Sequence, residues 1–400
     1  LKEKSFFRIV SQEDHMTYLD NAATTPPLKE ALLSLQEALA DYYANPSSLH
    51  QAGFRTAALR EEARQRAADL LGVSPGEVIF NSGATEGNNT VLRGIGPLLK
   101  RGKKIALTAI GHASVENTAR ALEREGTPLV RLPLIKGGLI DTEHLEGLLD
   151  SSCALLSVTA VNNETGLIQP IQDLIRQARA LHPDILVHVD AVQSFWSPLW
   201  QEWPALDWDF LTLSAHKIHA LKGTGLLLIR KGRHLHPLLT GGEQEHSFRP
   251  GTENMPGIIA LGMVLRQLAK KRDSFLRKIR RLEESFISGI DSLDGYILNR
   301  EKGLSYSPHI LSLAHDFIPG SVLQNALSER EICVSTGSAC SDRDKKNHRV
   351  LVNSGYTGRQ ALNTIRVSLS PLNSEEDITS TLSALDEISK TIGPLYRKVQ

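Results

Sequence analysis

From residue 77 onward, short apolar runs alternate with longer stretches of helical period. Val78-Ile-Phe80, Ile105-Ala-Leu107, Ala154 to Val161, Ile185-Leu-Val-His-Val189, Phe210-Leu-Thr-Leu213 and Leu226 to Ile229 are the apolar runs. They are short and bounded by polar or glycine-bearing turns, the pattern of strands buried on both faces. Helical stretches follow several of them, 171–182 among these. Upstream, Pro26-Pro27 leads into a predicted helix over 28–40, and a second helix, rich in Ala, Arg and Glu, is predicted over 51–71. Such alternation predicts an α/β fold with a mostly parallel sheet and helices on both faces. Ligands of such sheets bind outside the carboxyl ends of the strands.

Beyond residue 255 the pattern changes. A long helical stretch over 256–289 reads as broken near 270–273. Strands near 309–314, 331–335 and 364–369 and a helix over 374–390 predict a smaller α/β domain. The expected organisation is a large domain over 18–255 and a small one made of 1–17 with 256–400, joined by the N-terminal strand.

Composition narrows the function classes. A chain of 400 residues, 41% of them hydrophobic, can bury a sizeable core. Lys+Arg and Asp+Glu are equal at 45 each, so there is no basic footprint for nucleic acid. The longest apolar run, Ile258 to Leu265, is too short for a membrane span. The N-terminus lacks the apolar core of a secretory signal. Three cysteines, Cys153, Cys333 and Cys340, suit a reducing cytoplasm better than a disulfide framework.

The chemistry concentrates at the strand ends. The run Phe210–Leu213 delivers Ser214, His216 and Lys217 in quick succession. A lysine at the mouth of a buried strand is partly desolvated, which favours the free amine. A free amine condenses with a carbonyl, and the Ser and His beside it can hold an anion, as a phosphate-tailed aldehyde cofactor requires. A snorkelling lysine is the plain alternative. Four other apolar runs end in Thr85, His112, Asn163, and Asp190 with Gln193.

Each of these has a task if the ligand is pyridoxal phosphate, and each has a structural alternative. Ser82-Gly-Ala84-Thr85 opens a helix whose N-terminus favours a phosphate dianion, or is a simple cap. His112 can stack on the ring and shuttle protons, or be a hydrogen-bonded structural histidine. Asp190 can pair with the ring nitrogen and keep it protonated, the state that stabilises a carbanion, or cap a helix. Gln193 can reach the ring oxygen. Thr252, in the polar loop Arg249–Asn254, can complete a phosphate cup, even on a neighbouring subunit, or sit in an ordinary turn. Cys340 lies among small polar residues before the charged run Asp342–Lys346, which predicts an exposed, mobile loop with a reactive thiol. Cys153 and Cys333 are expected in the core. Arg366, inside a predicted strand, needs an anionic partner: a substrate carboxylate or a structural salt bridge.

Taken together, these stretches resemble the cysteine desulfurases of the NifS/IscS type. These are pyridoxal-phosphate enzymes of the class V aminotransferase family, with the fold type I (aspartate aminotransferase-like) architecture. The resemblance runs from about Tyr18 to Leu369. It is carried by Tyr18-Leu-Asp-Asn-Ala-Ala-Thr-Thr-Pro26, Asn45-Pro-Ser-Ser48, Ser82-Gly-Ala-Thr-Glu86 with Asn88-Asn89, Asn162-Asn-Glu-Thr-Gly166, His188-Val-Asp-Ala-Val-Gln193, Ser214-Ala-His-Lys217, Arg249–Asn254 and Gly337-Ser-Ala-Cys-Ser341.

The resemblance implies that Lys217 holds the cofactor as a Schiff base, His112 stacks on its ring, Asp190 pairs with its nitrogen and Gln193 reaches its hydroxyl. It implies that Ala84, Thr85, Ser214 and His216 bind the phosphate, with Thr252 arriving from the second subunit of a homodimer. Asn163 and Arg366 would hold the carboxylate of L-cysteine, and Cys340 would accept its sulfur as a persulfide, leaving alanine. No metal is implied. The long separation of Cys340 from Arg366 is similar to the family's long-loop group, which passes sulfur to an iron–sulfur scaffold protein. The chain departs from the family pattern at His219-Ala-Leu-Lys-Gly223 and at Glu245-His-Ser-Phe-Arg249, which lacks a glycine often found there. Competing readings are a selenocysteine lyase or an aminotransferase on the same fold, or a catalytically silent scaffold of a sulfur pathway.

Overall fold

The structure is a computed structural model and describes residues 16–96, 102–336 and 348–397. In chain order the elements are β1 (Thr17–Tyr18), α1 (Lys29–Asp41), α2 (Gln51–Leu71), β2 (Val78–Asn81), α3 (Ala84–Gly94), β3 (Lys104–Thr108), α4 (Ala113–Arg124), β4 (Leu129–Leu132), β5 (Cys153–Thr159), α5 (Ile171–Leu181), β6 (Leu186–Asp190), β7 (Phe210–Ser214) and β8 (Gly225–Ile229). Then follow α6 (Met255–Ile290), β9 (Tyr296–Leu298), β10 (Ile310–His315), α7 (Gly320–Ser328), β11 (Ile332–Cys333), α8 (Arg349–Asn353), α9 (Gly358–Leu362), β12 (Thr364–Ser368) and α10 (Glu375–Arg397).

Seven strands form one sheet in the order β2-β8-β7-β6-β5-β3-β4. All neighbours are parallel except those of β8, which runs against both β2 and β7. The other six strands therefore point the same way, and their carboxyl ends share one edge. Strand side chains alternate between faces, and the core divides accordingly. Val78, Phe80, Leu211 and Leu213 join the core that includes Ala63 and Ala67 of α2. Ile79, Phe210, Leu227 and Ile229 join a second core with Val91 and Leu92 of α3 and Val115 of α4. Helices thus cover both faces, which is why the central strands read as nearly unbroken apolar runs. A three-stranded antiparallel sheet, β12-β10-β9, and a parallel pair, β1-β11, complete the fold.

Several expectations are corrected. Helix α6 is continuous through 270–273. Its charged run, Lys270–Asp273, is not a break: Arg272 is buried, donates to the carbonyls of Phe195 (3.3 Å) and Ser197 (3.0 Å), and lies over the Phe195 ring. Helix α10 extends to Arg397, past Pro394. The strand expected over 331–335 shrinks to Ile332–Cys333. The short edge strands β4 and β9 carry half-buried residues and escaped the apolar-run criterion. Cys153 is buried, and burial pushes its thiol up to about 11. Cys333 is only half-buried, on the two-residue strand β11, rather than in the core.

One buried ion pair fixes the approach to Thr252. Arg64 on α2 grips Glu245 through two bonds of 2.8 and 2.9 Å, and the backbone N–H of Phe80 on β2 donates to the same carboxylate at 2.8 Å. The backbone pinned there is left-handed at three successive non-glycine residues, Glu245 (φ 49°), His246 (φ 55°) and Ser247 (φ 66°). Removing one partner of such a pair strands a buried charge. Glu245→Ala is expected to lower stability by about 3–5 kcal/mol in urea denaturation. Arg64→Met combined with Glu245→Leu should recover most of that loss.

Candidate active site

The carboxyl ends of β2, β3, β5, β6 and β7 open onto one cleft of about 430 Å³, within the size range of small-molecule sites. Ala84, Thr85, His112, Asn163, Asp190, Gln193, Ser214, His216 and Lys217 all line it. Thr252 does not; it lines an adjoining cleft whose walls share Ser82 and Gly223 with the first. Arg366 is buried and does not line the cleft either, and Cys340 lies outside the described residues.

Lys217 ends a single helical turn after β7, half-buried, and its Nζ donates to the carbonyls of Ala22 and Ala23, each at 2.6 Å. The loop after β1 therefore walls the site. Thr24 Oγ1 bonds His216 Nδ1 at 3.1 Å, and Thr25 N donates to the His216 carbonyl at 2.9 Å. Burial, with Lys217 and Lys222 adding repulsion, pushes the His216 imidazole down to about 4.

Asp190 ends β6 and is buried. Its Oδ2 accepts from Asn88 Nδ2 at 2.9 Å, and its Oδ1 from the Val192 N–H at 3.2 Å. Asn88, on α3, has no exposure and also donates to Ser114 Oγ at 2.9 Å. Ser114 in turn bonds His112 Nδ1 at 2.8 Å through its hydroxyl, and its backbone N–H donates to the same nitrogen at 3.1 Å. A backbone N–H can only donate, so Nδ1 is an acceptor and the neutral ring carries its proton on Nε2. Burial lowers the His112 pKa; Asp190 opposes the shift, and Lys217 and Arg349 add to it.

The phosphate-like corner is built from α3. Gly83 precedes the helix at φ 144°, a conformation that side chains resist, and a Cβ there would stand 3.7 Å from Ser214 Oγ. The first N–H groups of a helix lack intrahelical partners and attract anions. Glu86 accepts from Ser82 N at 3.0 Å and pairs with Arg249 at 3.0 Å, so its charge at this corner is matched.

Arg366 shows the salt-bridge arrangement. Its Nη2 pairs with Asp20 Oδ1 at 2.7 Å and its Nη1 donates to the Asn163 carbonyl at 2.8 Å, while its Nε is buried and finds no partner among the described residues. Its backbone exchanges bonds with Ser335 (3.2 and 2.6 Å), just before residues 337–347. On the far side of that segment, Arg349 donates to the carbonyls of Ala109 and Gly111, the latter at 2.6 Å, and Asn353 donates to Ala109 at 2.9 Å. The chain flanking Cys340 is thus fastened to Arg366 at one end and to the turn before His112 at the other.

Sequence reasoning missed several of these groups. The Ala22 and Ala23 carbonyls were hidden in what reads as an entry loop, and main-chain acceptors leave no mark in a residue pattern. Asn88 sits three residues beyond Thr85, within one helical turn, and that spacing was the available signal. Asp20, Lys222 and Arg349 are brought in by tertiary structure alone.

Two histidines beneath the site set a pH dependence. His188 bonds Ser157 Oγ at 2.9 Å and Thr212 Oγ1 at 3.1 Å, and burial pushes it down to about 3. His309 is likewise pushed to about 3, by burial and then by Arg366 and Lys217. The unfolded chain protonates both near the ordinary value of 6.5, so below that pH it binds more protons than the folded protein. Stability is full above pH 6.5 and falls as pH drops toward 3, by up to about 1.4 kcal/mol per pH unit for each site. Urea midpoints measured between pH 7 and 4.5 should decline, and His188→Gln, which cannot titrate, should flatten the slope. Asn88→Ala removes a donor to a buried carboxylate and should lower stability by about 1.5–3 kcal/mol in the same assay.

Comparison with known proteins gives the family of the chain. Residues 17–380 match the family Aminotransferase class-V. The chain is 37% identical over 380 residues to cysteine desulfurase 2 of Trichormus variabilis, covering 93% of this chain and 92% of that one. Among solved structures it is similar to a NifS-like protein (TM-score 0.86, 34% identity, 94% of this chain and 99% of the other). It also resembles SspA in complex with cysteine (TM-score 0.75, 29% identity, 89% and 99%).

Proposed function

Because the chain belongs to the aminotransferase class-V family, we infer that its cleft takes pyridoxal 5′-phosphate and removes sulfur from L-cysteine. The chain is an enzyme, a pyridoxal-phosphate-dependent cysteine desulfurase that yields L-alanine and an enzyme-bound persulfide. One observation carries the reading: a lysine amine, a buried carboxylate and a helix N-terminus converge on a single cleft.

The donor set fits the cofactor. Lys217 offers the amine for its aldehyde. Asp190, with one donor on each oxygen, keeps lone pairs for a protonated ring nitrogen. Thr85, Ser214, His216 and the start of α3 at Ala84 suit a phosphate. Gln193 suits the ring oxygen and His112 the ring face. When bound, the cofactor supplies an electron sink for charge developing on the substrate carbons.

The remaining roles belong to this chain's own side chains. Lys217 Nζ takes and returns the substrate's α-proton. Asn163 and Arg366 hold the substrate carboxylate, with Arg366 sharing its guanidinium between Asp20 and the substrate. Cys340 attacks the substrate sulfur as thiolate: an S–S bond forms, the C–S bond breaks with its electron pair passing to the substrate carbon, that carbon takes a proton to become the methyl group, and alanine leaves. Cys340 is four residues from Thr336, a reach of at most about 14 Å, and Ser335 beside Thr336 is bonded to the backbone of Arg366.

The working form is a homodimer. Leu32, Leu33, Leu39, Tyr43, Leu49 and Phe54 are all exposed on α1, α2 and the segment between them, an apolar surface that a second copy would cover. Thr252 of the partner subunit would then complete the phosphate cup. The persulfide passes to an iron–sulfur scaffold or another sulfur-acceptor protein. Among the described residues no helix is long and apolar enough to cross a membrane, and the cytoplasm is the proposed location.

The decisive measurement is peptide mass spectrometry of the pyridoxal-phosphate-loaded protein after exposure to L-cysteine. Added sulfur on Cys340, with alanine in solution, is the expected result; a keto acid would indicate an aminotransferase instead. Cys340→Ala should keep the cofactor's visible band yet lose sulfide release in the presence of a reductant, and unchanged release would refute its role. Lys217→Ala should lose borohydride-fixed cofactor.

A further inference from the structure

Gln193 is held from outside the large sheet. Its Nε2 donates to the Ala22 carbonyl at 2.9 Å, and its Oε1 meets His309 Nε2 at 3.1 Å. His309 precedes β10, and its Nδ1 meets Ser307 Oγ at 2.7 Å. All three side chains are buried: Gln193 at 6% exposure, His309 at 2% and Ser307 at 0%.

The polarity of this chain is forced. A carbonyl only accepts, so the Gln193 nitrogen faces Ala22 and the amide oxygen faces His309. The His309 proton must then sit on Nε2, which leaves Nδ1 to accept from the Ser307 hydroxyl at 2.7 Å; the other acceptor within that hydroxyl's reach, the Trp196 carbonyl, is farther off at 3.5 Å. We propose that His309 is a positioning residue for the desulfurase reaction, locking the Gln193 amide so that the cleft meets an N–H donor there and never a carbonyl. This rests on the cofactor reading above, in which that donor faces the ring oxygen.

The physical case has two parts. First, the Ala22 carbonyl, which also accepts from Lys217 Nζ, fixes only the nitrogen end of the amide. Without His309, the amide oxygen would be buried and unpaired, and turning it toward the cleft would set acceptor against acceptor. Second, His309 is suited to a fixed role rather than a switching one. Burial holds it neutral, and the nearby cations of Arg366 and Lys217 oppose its protonation further. A neutral ring in one tautomer always donates from the same nitrogen.

Two measurements test this. Nitrogen NMR of the full chain without cofactor, with labelled histidine, should show His309 neutral and protonated at Nε2 from pH 5 to 9. An Nδ1-protonated ring would overturn the proposal. The second is the pH midpoint of the visible band after loading with pyridoxal phosphate. A donor to the ring oxygen favours its anionic form, so losing the donor raises the midpoint. His309→Leu should raise it by about one unit, a tenfold change in the proton equilibrium. Gln193→Ala should move it the same way, the double variant no further, and His309→Gln, which restores a donor, back toward the parent. A midpoint unmoved in His309→Leu but shifted in Gln193→Ala would overturn the proposal, leaving His309 a structural residue. Should the parent protein take up no pyridoxal phosphate, the cofactor reading fails instead, and the tautomer measurement still decides the His309–Gln193 bond.

Discussion

The carbonyl of Ala22 is the acceptor on which the site turns. It takes one hydrogen bond from Lys217 after β7 and another from Gln193 after β6. Two polar side chains from different strands are thereby referred to one main-chain atom in the loop after β1. That loop is itself tied back to β12, since Asn21 donates to the Ser368 carbonyl and Ala22 N to the Ser368 hydroxyl. The position of the amine is therefore coupled to the three-stranded sheet, although the strand that carries it belongs to the seven-stranded one. A buried polar network of this kind is costly if half-satisfied and rigid if complete.

Charge within the site follows the same logic. Asp190 is buried but has a donor on each oxygen, so its ionised form is compensated locally. The histidines are treated in the opposite way. His188 and His309 receive neutral partners and deep burial, and both stay uncharged at any physiological pH. The anionic and neutral polar groups of the cleft are thus set by burial and by which donors reach them.

Much of this architecture was legible from residues alone. Parallel strands buried on both faces leave a loud apolar signal, and chemistry at their carboxyl ends stands out because it interrupts that signal. The buried strands β2, β3, β5, β6, β7 and β8 were visible for this reason, β2 among them although it ends the sheet. Edge strands β4 and β9 were not, because half-buried positions carry mixed residues. The charged run within α6 misled for a physical reason: Arg272 is buried by bonding to carbonyls and stacking on aromatic rings, which no local pattern reveals. In the cleft, side chains aligned with strand ends could be anticipated. Most of their supports could not, because Asp20 and His309 act through contacts between elements far apart in sequence.

The reversed strand β8 has a consequence for how the protein is made. It is the last strand of the large sheet to be synthesised, yet it lies in the interior of that sheet, between β2 and β7. Until residue 229 has left the ribosome, β2 has no neighbour and β7 keeps one open edge, both apolar. Unpaired apolar edges invite pairing with other chains, and long-range pairing such as Val78 with Leu228 forms slowly. The lysine lies between β7 and β8, so the catalytic amine reaches its final surroundings only when the nascent chain closes this gap.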